Sequence, residues 1–171
     1  MQIEKKSLKA ALVATGLAVM QQAAAYDPVT TERLLKPEPQ NWLMYRGTYN
    51  GQGYSPLDNI NTSNVKRLVP VWSYSTGQVE GHQAPPIVNN GVMFVATPGN
   101  QVMAIDAKAG TILWRYVKPL AQDAVVLHRT SRGVALFGDK VFFAAADAVL
   151  VALDVKTGKE VWTTKVEENK N

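Results

Sequence analysis

Cysteine is what this 171-residue sequence most plainly lacks, since it contains none. That absence excludes structural disulfides, thiolate zinc sites, thiol nucleophiles and a covalently attached c-type haem within the chain. It also excludes a cysteine at which a lipid anchor could be attached after export. Any cofactor must therefore be held without thiolate ligands from this chain.

A strong excess of charge of one sign is also missing. The chain has 18 Lys and Arg against 14 Asp and Glu, a formal charge of +4, with 46% hydrophobic residues. That composition is typical of a globular protein. The basic residues in the second half are scattered and do not form one arm: Lys108, Arg115, Lys118, Lys140, Lys156 and Lys159. Scattered charges indicate a solvated surface, and we expect no nucleic-acid partner.

The main apolar run is too short to span a bilayer, which requires about 20 residues. It covers residues 10–20, follows Lys5, Lys6 and Lys9, and precedes Ala23-Ala24-Ala25. This order predicts a cleavable secretory signal over residues 1–25. An amphipathic helix is the alternative, but its apolar residues would be spaced, not continuous. We expect a periplasmic protein with no transmembrane segment after signal removal.

Helical periodicity is absent from the rest of the chain. Residues 26–68 are rich in Pro and Gly, which predicts an extended, turn-rich lead-in whose aromatic residues pack on a folded body. Short strands are predicted over 69–75, 87–96, 101–106 and 111–117. Asn90-Gly91 divides the second of these into a hairpin, because both turn residues accept positive φ.

An internal repeat gives the main result. Residues 102–114 match residues 150–162, and the pattern Ala-x-Asp-x-x-x-Gly-x-x-x-Trp recurs 48 residues later. A period of about 40–50 residues with several short strands is typical of propeller blades. The sequence therefore predicts an all-β partial β-propeller, with about two blades in an incomplete domain over residues 69–171.

Each residue of the repeat has a structural explanation. The Ala of each copy leaves room where strands pack tightly, and Asp106 and Asp154 are placed to accept hydrogen bonds from amides of the next turn. Gly110 and Gly158 permit positive φ. The two Trp supply apolar area and an indole N–H that needs an acceptor. Recurrence at the blade period favours these structural roles over cofactor stacking for both tryptophans.

The tryptophan repeats and their neighbours resemble a known family. With the segments 41–42, 54–57, 60–65, 71–77 and 91–98, they are similar to the tryptophan-docking motifs and N-terminus of the pyrroloquinoline quinone (PQQ) dependent alcohol dehydrogenases. The resemblance covers nearly all of residues 41–166. It implies an eight-bladed propeller, PQQ beside Ca²⁺ or a lanthanide, oxidation of primary alcohols to aldehydes in the periplasm, and a c-type cytochrome as electron acceptor.

Two cofactor-binding residues are implied by the resemblance. Ser131-Arg132-Gly133 is similar to the segment whose Arg contacts the quinone, and a guanidinium suits a carboxylate-bearing quinone. An ordinary surface or ion-pairing Arg is the alternative for Arg132. Gln83 stands where many members have a Glu that contacts a PQQ carboxylate, and its amide can still donate there. We expect His82 to be a structural hydrogen-bonding residue.

The chain also departs from the family pattern. Val126-Leu127 stands where many members have adjacent cysteines in a disulfide ring, which indicates a cysteine-less branch or reduced activity. The metal ligands and the catalytic Asp of the family belong to later blades, so no catalytic residue and no metal ligand is assigned here. Asp106 and Asp154 belong to the repeated turns. This pattern predicts an inactive N-terminal fragment of the enzyme.

A non-enzymatic propeller that acts as a scaffold in the cell envelope is the alternative. Such scaffolds carry related repeats and bind proteins through exposed edges, but they are usually anchored through a lipidated cysteine. The Ser-Arg-Gly-Val-Ala segment at 131–135 and the long Trp- and Tyr-containing lead-in favour the enzyme.

Overall fold

The computed structural model describes residues 26–122, 124, 126 and 130–166. They form two four-stranded antiparallel sheets, each with its strands in chain order. Sheet 1 consists of β1 (Ile87–Asn89), β2 (Val92–Thr97), β3 (Gln101–Asp106) and β4 (Ile112–Val117). Sheet 2 consists of β5 (Val134–Phe137), β6 (Lys140–Ala144), β7 (Val149–Asp154) and β8 (Glu160–Lys165). The prediction of an all-β partial propeller is confirmed, whereas the predicted signal over 1–25 lies outside the described residues.

The hairpin turns form where the sequence predicts them. Asn90 and Gly91 have φ of 48° and 75°, the pair of positive values that a tight hairpin turn requires. In the turns after β3 and β7, one Asp106 carboxylate oxygen accepts from the amides of Lys108 and Ala109 at 2.9 and 2.8 Å. Asp154 accepts from the Thr157 amide at 2.8 Å. Both aspartates therefore act as predicted, as acceptors that close the turns.

The alanines of the repeat lie under an aromatic pair. Ala104 is opposite Phe94 on one neighbouring strand and opposite Trp114 on the other, and it is fully buried. The two rings meet above it with their centroids 6.0 Å apart. Sheet 2 repeats the arrangement with Phe142 and Trp162 at 5.9 Å. A larger side chain than Ala would separate the two rings, which explains the small residue.

Trp114 holds the two sheets together. Its indole Nε1 donates to the Val155 carbonyl at 2.9 Å, and its ring covers Gly158 so closely that a Cβ there would lie 2.4 Å from a ring carbon. Farther along β4, the Tyr116 hydroxyl donates to Glu160 at 2.9 Å and Lys118 pairs with Asp147. Burial and the bond to Glu160 raise the pKa of Tyr116.

The core lies between the sheets and under the lead-in. Five of the six β3 residues are buried, whereas all six β8 residues are exposed. Val29 pairs with Gly138 and Trp42 pairs with Val88, so the lead-in is bonded to both sheets. It also contains a short helix, α1 (Thr31–Leu35), with Thr30 as its N-cap, in a segment that we predicted to be extended. The described residues contain no helix of the length and apolar character that crossing a membrane requires.

The strand predicted over 69–75 is wrong. The structure gives this segment no strand pairing, although the Trp72 indole donates to a turn carbonyl in the same way as the Trp114 indole. The Trp72 indole donates to the Ala107 carbonyl at 3.0 Å, and a Cβ at Gly110 would lie 2.6 Å from its ring. The alternation predicted a strand, but no described segment lies beside it as a partner, and an unpaired segment cannot form a ladder. We call residues 69–79 the strap.

Candidate cofactor site

The two residues that the sequence marks for cofactor binding lie at equivalent places in the two sheets. Gln83 precedes β1 by a few residues, and Arg132 precedes β5 by one residue that separates it from Val134. The first strands of the two sheets are neighbours, because β5 contacts both β1 and β2. Both segments therefore reach the same end of the sheet pair.

A direct contact joins the two segments. A Cβ built on Gly133 would lie 3.9 Å from the Pro85 carbonyl oxygen, so the backbone after Arg132 runs beside the backbone after Gln83. Gly133 has φ of 131°, a value that side-chain-bearing residues rarely adopt. Its amide donates to the Ser131 hydroxyl at 3.3 Å, which closes a local turn around Arg132. These contacts define the backbone path of Arg132 immediately before β5 begins.

Both side chains are available to a ligand. Arg132 and Gln83 are exposed, and within the described ranges neither makes a side-chain hydrogen bond or ion pair. A guanidinium offers five donors in a planar fork and a carboxamide offers two. This donor set fits the carboxylates and carbonyl oxygens of a quinone such as PQQ. Neither group can act as a general base at neutral pH, so the pair can bind and orient but cannot abstract a proton.

An open cleft of about 480 Å³ adjoins Gln83. Aromatic, cationic and amide side chains line it, and none of its described lining residues is a carboxylate; they are Trp42, Tyr45, Arg46, Gly53, His82, Gln83, Ala84 and Pro85. Arg46 is held by a bond from its Nε to the Gly51 carbonyl at 2.8 Å. Sequence reasoning treated this part of the lead-in as packing only and missed the cleft. The bias of the 42–46 segment towards ring and guanidinium groups was the available signal.

His82 is engaged in local hydrogen bonds. Its Nδ1 lies 3.1 Å from the Glu80 carbonyl and its Nε2 lies 2.8 Å from the Thr76 hydroxyl. A carbonyl only accepts, so Nδ1 carries a proton, and in the neutral ring Nε2 accepts from Thr76. This agrees with the structural role expected for His82, because both ring nitrogens already have partners.

The wall beside the cleft is fixed by a polar cluster. Arg33 donates to both carboxylate oxygens of Glu38 at 2.7 and 3.1 Å and to the Asn89 side chain at 2.9 Å. Asn41 donates to Glu38 at 3.0 Å and accepts from the Asn90 amide at 2.8 Å. The bonds from Arg33 lower the pKa of Glu38 to about 2. The cluster joins the lead-in to β1 immediately before Trp42.

No described group of three or more His, Cys, Asp or Glu side chains could hold a metal ion. The aspartates of the repeated turns are committed elsewhere, and the bond from the Thr157 side chain lowers the pKa of Asp154. Within Val126-Leu127, only Val126 belongs to the described residues; His128 and Arg129 lie outside them. The described part of the chain thus offers donors for a quinone and no metal centre.

Comparison with known proteins identifies the family of the chain. Residues 42–163 match the family described as PQQ, glucose/ethanol/alcohol dehydrogenase, β-propeller domain. The quinoprotein alcohol dehydrogenase PedH of Pseudomonas putida is 41% identical over 158 residues, which cover 90% of this chain and 27% of that protein. The chain spans about a quarter of the length of the first curated relatives that it matches.

Solved structures agree in fold. The quinohemoprotein alcohol dehydrogenase of Comamonas testosteroni superimposes with a TM-score of 0.72 at 36% identity, covering 77% of this chain and 20% of that one. A europium-containing methanol dehydrogenase gives a TM-score of 0.73 at 36% identity, covering 80% of this chain and 25% of the other. The chain therefore belongs to the PQQ-dependent glucose, ethanol and alcohol dehydrogenase β-propeller family.

Proposed function

We propose that this chain is the N-terminal part of a periplasmic PQQ-dependent alcohol dehydrogenase and forms one wall of its cofactor site. The supporting observation is that Gln83 and Arg132, on the segments that lead into different sheets, lie on backbone stretches that approach each other at Pro85 and Gly133. The membership of the chain in the family supplies the reaction class. The substrate is a primary alcohol and the product is an aldehyde.

In this proposal the chain's own residues bind and orient. The Arg132 guanidinium donates to a carboxylate or carbonyl oxygen of PQQ and favours the added negative charge of the reduced form. The Gln83 amide donates to a second oxygen without the charge repulsion that a Glu would bring. When bound, PQQ accepts the two electrons that alcohol oxidation releases.

The remaining components complete the proposal. A Ca²⁺ or lanthanide ion would supply Lewis-acid chemistry and an Asp would act as general base, and residues outside this chain would provide both. A europium-containing relative of this fold supports a metal of this kind. Electrons pass to a c-type cytochrome. The chain without those parts neither oxidises alcohol nor binds PQQ tightly.

The experiment is PQQ binding to the chain, measured by equilibrium dialysis. Two or three charge-assisted hydrogen bonds correspond to a Kd of roughly 1 mM. We expect Arg132→Gln to weaken binding by about tenfold or more, with Arg132→Lys between the two. Arg67→Gln is the matched control, because Arg67 is exposed in the short 3₁₀ helix (Val65–Arg67) and is not part of the proposed site.

Two results would contradict the proposal. Equal effects of the Arg132 and Arg67 substitutions would mean that PQQ is attracted by general charge only. Dye reduction by this chain with ethanol, PQQ and Ca²⁺ would show that it holds a complete active site. The scaffold alternative predicts no PQQ binding and instead capture of a protein at the exposed edge of sheet 2.

A further inference from the structure

The sequence contains two Asn-Gly pairs, and the structure holds them in different ways. They are Asn50-Gly51 in the lead-in and Asn90-Gly91 in the hairpin between β1 and β2. An asparagine before glycine can lose its side-chain amide, because the next backbone nitrogen attacks the side-chain carbonyl carbon and glycine has no Cβ to obstruct that approach. Both pairs share this chemistry, so a difference between them must come from the structure around each one.

Asn90 is held by lead-in partners through its side chain and its backbone. Its Nδ2 donates to the Asp27 carboxylate at 2.7 Å, and its backbone amide donates to the Asn41 side chain at 2.8 Å. The Gly91 carbonyl accepts from the Ala107 amide at 2.8 Å. Attack by the Gly91 nitrogen requires rotation of the side chain and of this turn, which breaks such bonds at a cost of about 1 kcal/mol each. The hairpin therefore protects Asn90.

Asn50 lies in a small loop whose contacts favour the reaction. The Thr48 hydroxyl donates to the Asn50 side-chain oxygen, and the described residues provide no partner for the leaving Asn50 nitrogen. Attack at the side-chain carbonyl carbon places negative charge on that oxygen, so the Thr48 hydroxyl is already in position to stabilise the intermediate. The Gly51 amide donates to the Thr48 carbonyl at 2.9 Å, a single bond that the attack has to break. These contacts form within residues 48–51 and belong to the loop itself.

We propose that Asn50 is a site of spontaneous deamidation in the folded chain, assisted by Thr48. Hydroxide removes the Gly51 amide proton, and the Gly51 nitrogen then bonds to the Asn50 side-chain carbon while the C–N bond of the side-chain amide breaks and ammonia leaves. Water opens the resulting cyclic imide at either carbonyl, which gives aspartate or isoaspartate at this position. The reaction consumes only water and requires no oxidant, cofactor or second enzyme.

The modification changes a wall of the cleft beside Gln83. Either product adds a negative charge one residue before Gly51, whose carbonyl accepts from the Arg46 Nε at 2.8 Å. The isoaspartate product also adds one carbon to the backbone immediately before Gly51, which displaces that carbonyl. Arg46 lines the cleft, so its guanidinium loses its fixed position as the protein ages.

The experiment is incubation of the folded chain in warm, mildly alkaline buffer, followed by tryptic digestion and mass spectrometry. Trypsin places the two pairs on separate peptides, 47–66 and 68–108. We expect Asn50 to convert at least about tenfold faster than Asn90, with isoaspartate as the larger product. In guanidinium chloride, where the structure is lost, the two rates should converge. Dividing each folded rate by its denatured rate separates the effect of structure from that of sequence.

Variants of Thr48 test its assistance. Thr48→Val keeps the shape of the side chain but removes the hydroxyl, and we expect it to slow Asn50 conversion about threefold to tenfold. Thr48→Ser keeps the donor and should restore the rate. Neither variant should change Asn90 conversion. Asp27→Ala is the reverse control, because it removes the acceptor of the Asn90 amide and should speed Asn90 conversion about threefold without affecting Asn50.

Three results would overturn the proposal. The first is that the folded chain protects Asn50 as strongly as Asn90, relative to the denatured chain. The second is that isoaspartate is missing from the products, because direct hydrolysis without the cyclic imide gives aspartate alone. The third is that Thr48→Val converts at the rate of the unchanged chain or faster.

Discussion

Sheets 1 and 2 have the same local structure but different surroundings. Their aromatic pairs have centroid distances of 6.0 and 5.9 Å. In both sheets the pairing between the third and fourth strands shifts register immediately after the repeat alanine of the third strand. Trp114 is 8% exposed and Trp162 is 39% exposed. The repeat thus determines the local structure of each sheet. The neighbouring sheet determines how much of the repeat tryptophan is buried, and therefore how strongly that side chain stabilises the fold.

Removing the two tryptophans should separate these contributions most strongly. We expect Trp114→Ala to lower the free energy of unfolding by about 3–5 kcal/mol, because it leaves a cavity between the sheets. Trp162→Ala should cost about 1 kcal/mol, because its ring is only partly covered. Urea denaturation of both variants measures the difference. Similar losses would mean that the face of sheet 2 is covered in solution.

Substituting the acceptor glycines should give the next largest effect. Gly158→Ala places a Cβ within 2.4 Å of the Trp114 ring at a positive φ, and we expect a loss of about 3 kcal/mol. Gly91→Ala is the matched control, because Gly91 has a similar φ of 75° but no atom within 4 Å of an added Cβ. Its loss should be about 1 kcal/mol, the cost of the backbone conformation alone. Equal losses at both sites would show that Trp114 does not cover Gly158.

The local character of the repeat explains which parts of the fold could be predicted from the sequence. Asn90-Gly91 and the Asp-x-x-x-Gly turns determine their own backbone through local hydrogen bonds, so the hairpins and blades could be predicted from sequence alone. The position of Trp72 could not be predicted in this way, because its hydrogen-bond acceptor is the Ala107 carbonyl in a distant turn. The alternation around it equally fits a paired strand.

The cofactor-binding roles of Gln83 and Arg132 stay a prediction, and the sequence did not indicate how their two segments meet. Gln83 and Arg132 came from a family resemblance, and only the packing of β5 against β1 brings their segments together. The cleft lined by Trp42 and Arg46 depends on how the lead-in folds over that end of sheet 1. No local pattern in residues 42–46 determines that path.

Equivalent turn positions of the two sheets should respond in opposite directions. Asn100 and Ala148 have φ of 59° and 58°, and each accepts a backbone bond from the end of its outer strand. Ala148→Gly should stabilise the chain by about 0.5–1 kcal/mol, because Gly accepts this φ without strain. Asn100→Gly should destabilise it by about 1–2 kcal/mol, because the Asn100 side chain donates to the Lys118 carbonyl within sheet 1 and accepts from the Ala146 amide of sheet 2. Thermal unfolding checks both signs, and a stabilised Asn100→Gly would refute the bridging role.

Acid should weaken the lead-in by a smaller amount. The pKa of Glu38 is lowered to about 2 by Arg33, so the folded chain binds fewer protons than the unfolded chain as the pH falls below about 5. The stabilisation is present at neutral pH and is lost as the pH falls towards 2. Because Glu38 is partly exposed, its contribution is about 1 kcal/mol or less. Glu38→Gln should flatten this part of the stability–pH curve, and an unchanged slope between pH 5 and 2 would contradict the ion pair.

The most direct test of the cofactor site is a double-mutant cycle for PQQ binding with Arg132→Gln and Gln83→Ala. If both side chains contact one PQQ molecule, their effects on Kd should be non-additive, with a coupling of about 0.5–1 kcal/mol or more. Additive effects, or no effect of Gln83→Ala, would mean that the two segments meeting at Gly133 and Pro85 do not form a common wall of the cofactor site.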